Sequence, residues 1–219
     1  MELKGKKVVF LGDSITEGHG TSAKEFTYWN QFGKNTGAVV SANGIGGTRI
    51  APQRIPALER PWEERYFASR VDEMDPDADI VVVFGGTNDF GTGDAAFGTM
   101  ADRTNDTFYG ACHLLVQKLF DRYPNATVVL MTPLHRCSEN DMPYNEFGVR
   151  RVGPLSVYVN ALREIAEYYA LPVVDLFAHC PIQPSVDAQR EKYMPDGLHP
   201  NDAGAALIAH CLQKVLEAL

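Results

Sequence analysis

Ser14 stands two residues after the glycine that ends the first apolar run, Val8-Val9-Phe10-Leu11-Gly12-Asp13-Ser14. A serine hydroxyl attacks a carbonyl only when a base takes its proton and donors meet the developing oxyanion. Six histidines could be the base: His19, His113, His135, His179, His199 and His210. Only His199 has a carboxylate three residues upstream in a loop with glycine and proline, Asp196-Gly197-Leu198-His199-Pro200. At that spacing Asp196 can accept the Nδ1 proton of His199 and leave Nε2 to serve Ser14. Two further loops offer oxyanion donors: Gly47 in Asn43-Gly44-Ile45-Gly46-Gly47-Thr48, and Asn88 in Gly86-Thr87-Asn88-Asp89. Glycine lets backbone approach a ligand closely, and the asparagine amide donates without ionising. Taken singly, each of these loops is also ordinary turn chemistry.

Positioning these residues requires strand ends that converge. Continuous apolar runs predict strands at Lys7–Leu11, Ala38–Ala42, Asp79–Phe84, Ala126–Met131 and Leu171–Leu176. Helical patterns between them cover Glu25–Asn35, Pro61–Met74, Thr104–Tyr123, Leu155–Ala170 and Asn201–Glu217. Gly37 suits a helix C-terminus, Pro61 a first turn and Asn201 an N-cap. Strands alternating with helices imply an α/β domain, 1–219, with a parallel sheet and right-handed crossovers. Ligands in such sheets lie beyond the carboxyl ends of the strands, where Ser14, the glycine loop and Asn88 all fall. Residues 133–153 read as a polar, irregular stretch, which suits a lid, a binding loop or a subunit contact. His179–Gln189 reads as loop or a short helical piece.

Composition narrows the function classes. The 219 residues are 45% hydrophobic with a net charge of -8, which disfavours nucleic-acid partners and anionic membranes. No apolar run is long enough to span a bilayer, and the N-terminus lacks a signal-peptide pattern, so a cytoplasmic location without stable membrane association is expected. Cys112, Cys137, Cys180 and Cys211 form no CxxC and read as free thiols. No metal-ligand spacing such as HExxH is present, and no cofactor or metal is called for. Neither GxxxxGK[ST] nor GxGxxG occurs at the relevant turns, which sets a nucleotide-binding flavodoxin-like protein lower. Lesser pocket candidates are Asp13, Arg49 and Phe90, with Tyr28, Trp29, Tyr144 and Phe147 read as core or pocket lining. For Asp13, local bonding in the turn is the plainer account; for Arg49, a surface salt bridge.

In order, Gly12-Asp13-Ser14-Ile15-Thr16, the glycine loop, Gly86-Thr87-Asn88-Asp89 and Asp196-Gly197-Leu198-His199-Pro200 resemble the four blocks of the SGNH hydrolases, the GDSL-type esterases and lipases. Ile15 replaces the namesake leucine, and Gly46 replaces a serine often found before the key glycine. The resemblance implies a three-layer α/β/α, flavodoxin-like sandwich with a five-stranded parallel sheet in the order 2-1-3-4-5. It implies Ser14 as nucleophile, His199 as base and Asp196 as its orienter. The oxyanion donors would be the N–H of Ser14, the N–H of Gly47 (Gly46 being the neighbouring choice of register) and the Asn88 side chain. The activity implied is hydrolysis of a small-molecule ester, with acetylated carbohydrate as the preferred substrate. Lysophospholipase and acyl-thioesterase activities are alternatives on the same fold. A non-catalytic binding domain would be expected to have lost one of these residues. A homo-oligomer is compatible with all of these readings.

Overall fold

The structure, a computed structural model, describes residues 1–140, 144 and 152–219. In chain order the elements that frame it are β1 (Lys7–Gly12), α1 (Ser14–Glu17), α2 (Tyr28–Thr36), β2 (Val39–Gly44), α3 (Phe67–Arg70), β3 (Ile80–Phe84) and α4 (Thr87–Gly91). They continue with α5 (Phe108–Arg122), β4 (Thr127–Met131), α6 (Leu155–Tyr168), β5 (Val173–Val174), α7 (Leu176–His179), α8 (Asp187–Tyr193) and α9 (Asp202–Ala218). The sheet is parallel throughout, in the order β2-β1-β3-β4-β5. This is the strand order implied by the family resemblance.

The two-residue period of a strand sorts the sheet into two cores. Val9, Leu11, Val81, Val83, Val128 and Leu130 face one way and pack under α3, α5 and α6. Val8, Phe10, Ile80, Val82, Phe84, Val129 and Met131 face the other and pack under α2 and α9. All five residues of β3 are buried, so a run without polar alternation is what a central strand covered on both sides requires. Each such side chain stabilises the fold by about 1.5–3 kcal/mol on burial.

Local chemistry sets the helix ends. Gly37, at φ 74°, closes α2 by donating its N–H to Gly33. Thr107 caps α5 by accepting from the Gly110 N–H, and Asn201 caps α9 by accepting from Ala203 and Gly204. Two expectations change, and a third falls largely outside the described residues. The helix expected over Pro61–Met74 is broken into a 3₁₀ turn at Pro61–Glu64, then α3, then a second 3₁₀ turn at Val71–Glu73. The break occurs because the Phe67 N–H donates to the Arg49 carbonyl, 2.9 Å away, rather than along a helix, and because Glu63 and Arg70 turn inward. The fifth strand is only two residues long. The irregular stretch expected at 133–153 is described only at 133–140, 144, 152 and 153; the rest of it lies outside the described residues.

Gly44 marks where the end of β2 meets α1. A Cβ there would lie 2.3 Å from the Glu17 nitrogen and 2.5 Å from the Thr16 carbonyl carbon. Both are backbone atoms and cannot swing aside. Gly44→Ala is expected to destabilise the fold by at least about 1–3 kcal/mol, the usual range for overpacking. A lowered urea midpoint with an unchanged slope checks it.

Candidate active site

Ser14 opens α1 directly after β1. The Asp13 side chain accepts from the Ile15 N–H at 3.0 Å and so caps this turn. As the first residue of the turn, Ser14 has a backbone N–H with no helical acceptor. Its Oγ lies 2.9 Å from Nε2 of His199. On the far side of that ring, Nδ1 lies 2.6 Å from Oδ2 of Asp196. The other Asp196 oxygen accepts from the N–H groups of Leu198 (2.8 Å) and His199 (2.7 Å). Partial burial would raise this carboxyl, but the His199 N–H, the His199 ring and the Leu198 N–H together hold it below the usual aspartate range. Gly197, at φ 78°, makes the turn that lets one short loop present both groups.

The glycine and asparagine loops are bonded to each other. Asn88 donates through Nδ2 to the Thr48 carbonyl at 3.0 Å, which fixes the amide's orientation. The neighbouring Asp89 accepts from the Ile50 and Ala51 N–H groups at 3.0 and 2.9 Å. The two consecutive glycines differ in what they offer. The Gly46 N–H is taken by Glu17 Oε2 at 2.7 Å. No acceptor among the described residues takes the Gly47 N–H, and Gly47 adopts φ 76° over the Glu63 side chain.

Beneath these loops lie charges whose pairing sequence reading does not reveal. Arg49 is buried rather than on the surface. It pairs with buried Glu63 at 3.0 Å and donates to the Gly47 carbonyl at 3.0 Å. Arg70, fully buried, donates to the Gly12 carbonyl (2.9 Å), to the Asn43 carbonyl (3.0 Å) and side chain (2.7 Å), and to Thr48 Oγ1 (3.0 Å). Burial lowers its pKa to about 10, which leaves it charged at neutral pH. Asp13 is pushed up to about 7 and Asp89 to about 6, in both cases chiefly by burial. The only sequence signal for any of these is a charged residue in an otherwise apolar helical pattern, as at Arg70.

A cleft of about 490 Å³ opens over Ser14, Asn88 and His199, with Gly46 and Gly47 on one wall and Trp62, Glu17, His19 and Arg60 toward solvent. Asp13, Arg49 and Phe90 are not among its lining residues. Phe90 packs edge-on against Tyr158 at 5.9 Å, and Tyr28 and Trp29 belong to the core beside α2. Tyr144 is exposed, and Phe147 lies outside the described residues. Residues 136–137 touch two of the site loops: Arg136 donates to Thr87, and the Cys137 N–H donates to the Gly197 carbonyl at 2.8 Å. Among the described residues, no group of three or more His, Cys, Asp or Glu could hold a metal ion, and no helix is long and apolar enough to cross a membrane.

Residues 10–207 match the model of the GDSL-like lipase/acylhydrolase family. One solved structure is 33% identical over 100% of this chain and 99% of its own, with a TM-score of 0.85. A protein from Lactobacillus plantarum is 29% identical over 98% of both chains, with a TM-score of 0.81. A two-domain esterase active on acetylated mannans shares the fold at 24% identity and a TM-score of 0.60, over 98% of this chain and 49% of its own. No curated protein matches this chain.

Two substitutions test the buried charges. Arg70→Lys keeps the charge but cannot reach four oxygens at once. It is expected to lower kcat on a chromogenic ester by about 10²-fold, the effect of a displacement near 1 Å, with KM and the far-ultraviolet circular dichroism little changed. For Asp13, a folded pKa raised above the unfolded one means stability is fully present below the unfolded value and lost as pH rises toward about 7. Asp13→Asn removes that slope. The variant is therefore expected to gain on the parent between about pH 4 and pH 7, read as the difference in urea midpoints at the two ends.

Proposed function

The chain belongs to the GDSL-like lipase/acylhydrolase family, and we propose that it is a serine esterase that removes small acyl groups, acetyl above all, from carbohydrate. The observation that carries the chemistry is the continuous relay Ser14 Oγ–His199 Nε2–His199 Nδ1–Asp196, at 2.9 and 2.6 Å. In this reading Ser14 attacks the ester carbonyl while His199 takes its proton. Asp196, ionised because its pKa is depressed, stabilises the imidazolium and fixes the tautomer. The oxyanion is met by the N–H groups of Ser14 and Gly47 and by the second N–H of Asn88. Each such donor contributes about 10²–10³ in rate. His199 then protonates the leaving alcohol, and the acyl-enzyme is hydrolysed by water with His199 acting again as base.

The character of the cleft supports a small acyl group and a polar alcohol. Glu17, His19 and Arg60 supply charged or polar groups toward solvent, and half-exposed Trp62 supplies a flat apolar face. A sugar ring presents both hydroxyls and an apolar face, so this mixture suits it. The described lining contains little that would hold a long acyl chain. The esterase active on acetylated mannans is one protein of this fold with such a substrate.

The test is a substrate panel of p-nitrophenyl acetate, longer p-nitrophenyl esters, acetylated sugars, a lysophospholipid and an acyl-thioester. Each is assayed with the parent protein and with Ser14→Ala. Turnover is expected on the acetyl esters, to fall with acyl length, and to drop by at least about 10³-fold in Ser14→Ala. Equal activity of the serine variant would overturn the mechanism. Preference for the lysophospholipid or thioester would overturn the substrate assignment alone.

A further inference from the structure

His19 takes no part in the relay from Ser14 to Asp196, yet the chain builds it into the same cleft. Its N–H donates to the Ser14 carbonyl at 2.9 Å, in the turn that closes α1. The next residue, Gly20, packs on the base: a Cβ there would lie 3.0 Å from the His199 Cβ and 2.6 Å from the Pro200 carbonyl oxygen. Two residues further on, Ser22 donates to Asp202 at the head of α9, through its N–H at 2.8 Å and its Oγ at 2.6 Å. The imidazole of His19 is thereby held 5.4 Å from that of His199, centre to centre, with the planes tilted by 53°. It is half-exposed in the cleft.

The two nitrogens of this ring differ in what surrounds them. Nε2 lies 3.2 Å from Glu17 Oε2, the same oxygen that accepts the Gly46 N–H at 2.7 Å. A carboxylate so near favours the tautomer with its proton on Nε2. Gly46 leaves room for the pair: a Cβ there would lie 2.9 Å from Glu17 Oε2 and 3.3 Å from His19 Cε1. Nδ1 is then a lone-pair acceptor, and no group among the described residues bonds to it. An unused acceptor thus stands beside the imidazole that must protonate the leaving alcohol.

We propose, resting on the esterase reading above, that His19 selects the alcohol: its Nδ1 accepts from a hydroxyl on the carbon next to the one that bears the ester. Acetyl esters with a free vicinal hydroxyl are then the preferred substrates. His199 Nε2 must reach the alcohol oxygen of the ester to protonate it. The neighbouring hydroxyl of a vicinal diol lies two carbons beyond that oxygen, a length that fits the separation of the two rings. Sugar rings carry such pairs of oxygens, whereas simple alkyl and aryl acetates do not. The bond to His19 holds the alcohol oxygen where His199 can protonate it, so its effect falls on kcat/KM.

The test compares kcat/KM for 2-hydroxyethyl acetate and 2-methoxyethyl acetate at about pH 8, above the ordinary histidine range. The two esters are close in size and electron withdrawal, and only the first can donate a hydrogen bond. The parent protein is expected to prefer the hydroxyl ester by about tenfold, the worth of one hydrogen bond. In His19→Phe the ratio is expected to fall to near unity. A purely structural role for His19 lowers both esters alike and leaves the ratio where it was. A parent ratio near or below unity, or a ratio unchanged in His19→Phe, would overturn the proposal while leaving the esterase reading in place. No turnover of p-nitrophenyl acetate by the parent would overturn that reading, and this inference with it. The parent measurement needs no variant to fold.

Discussion

One buried guanidinium holds the carboxyl edge of this sheet in register. Arg70 bonds at once to the last residue of β1, to the end of β2 and to Thr48 in the glycine loop. Two parallel strands and the loop that continues from the second, which would otherwise diverge once the ladder hydrogen bonds end, are tied at one point. Desolvating a charge is costly unless its hydrogen bonds are made, and here Gly12, Asn43 and Thr48 accept from both terminal nitrogens, while Nε has no acceptor among the described residues. The relation runs both ways. The carbonyls of Gly12, which also accepts from the Ile45 N–H, and of Asn43 each receive a donor from Arg70 at the point where the two strands end.

The buried carboxylates complete the frame. Asp89 bonds the asparagine loop to the backbone after the glycine loop, and Asn88 bonds it to Thr48. Asp13 caps the serine turn. Glu63 sits between Arg49 and Arg60 beneath Gly47. Each charge is placed against backbone that must not move during turnover, and burial raises the pKa of Asp13 and Asp89 as a consequence. Stability is given up at these positions in exchange for geometry, as is common where a site must be preorganised.

Much of the framework can be read in the sequence, because its signals are local. A five-residue apolar run bounded by turn residues reads as a covered strand, and Gly37 ends a helix by its backbone freedom while Asn201 begins one through its side-chain oxygen. The four loops fall at strand ends because the alternation of elements puts them there. The buried pairings of Arg49 and Arg70 were not legible, because their partners lie 14 to 58 residues away. Arg49 pairs with Glu63 and Arg70 with Gly12, Asn43 and Thr48, and nothing in the local pattern announces either. The same holds for the broken helix after Pro61: its apolar spacing is helical, but the inward turn of Glu63 and Arg70 and the bond from Phe67 to Arg49 override it. The choice between Gly46 and Gly47 turns on a carboxylate 29 residues upstream, Glu17, which occupies one of the two amides.

Residues 136 and 137 give the molecule a mechanical property that its separate loops do not have. Arg136 grips the loop carrying Asn88, and the next residue grips the loop carrying Asp196 and His199. A neighbour bonded to both halves makes their displacements correlated. Any load on this short stretch displaces His199 and Asn88 together, and a gain or loss of alignment at one is felt at the other. The two halves of the site are tuned through a single adjustment.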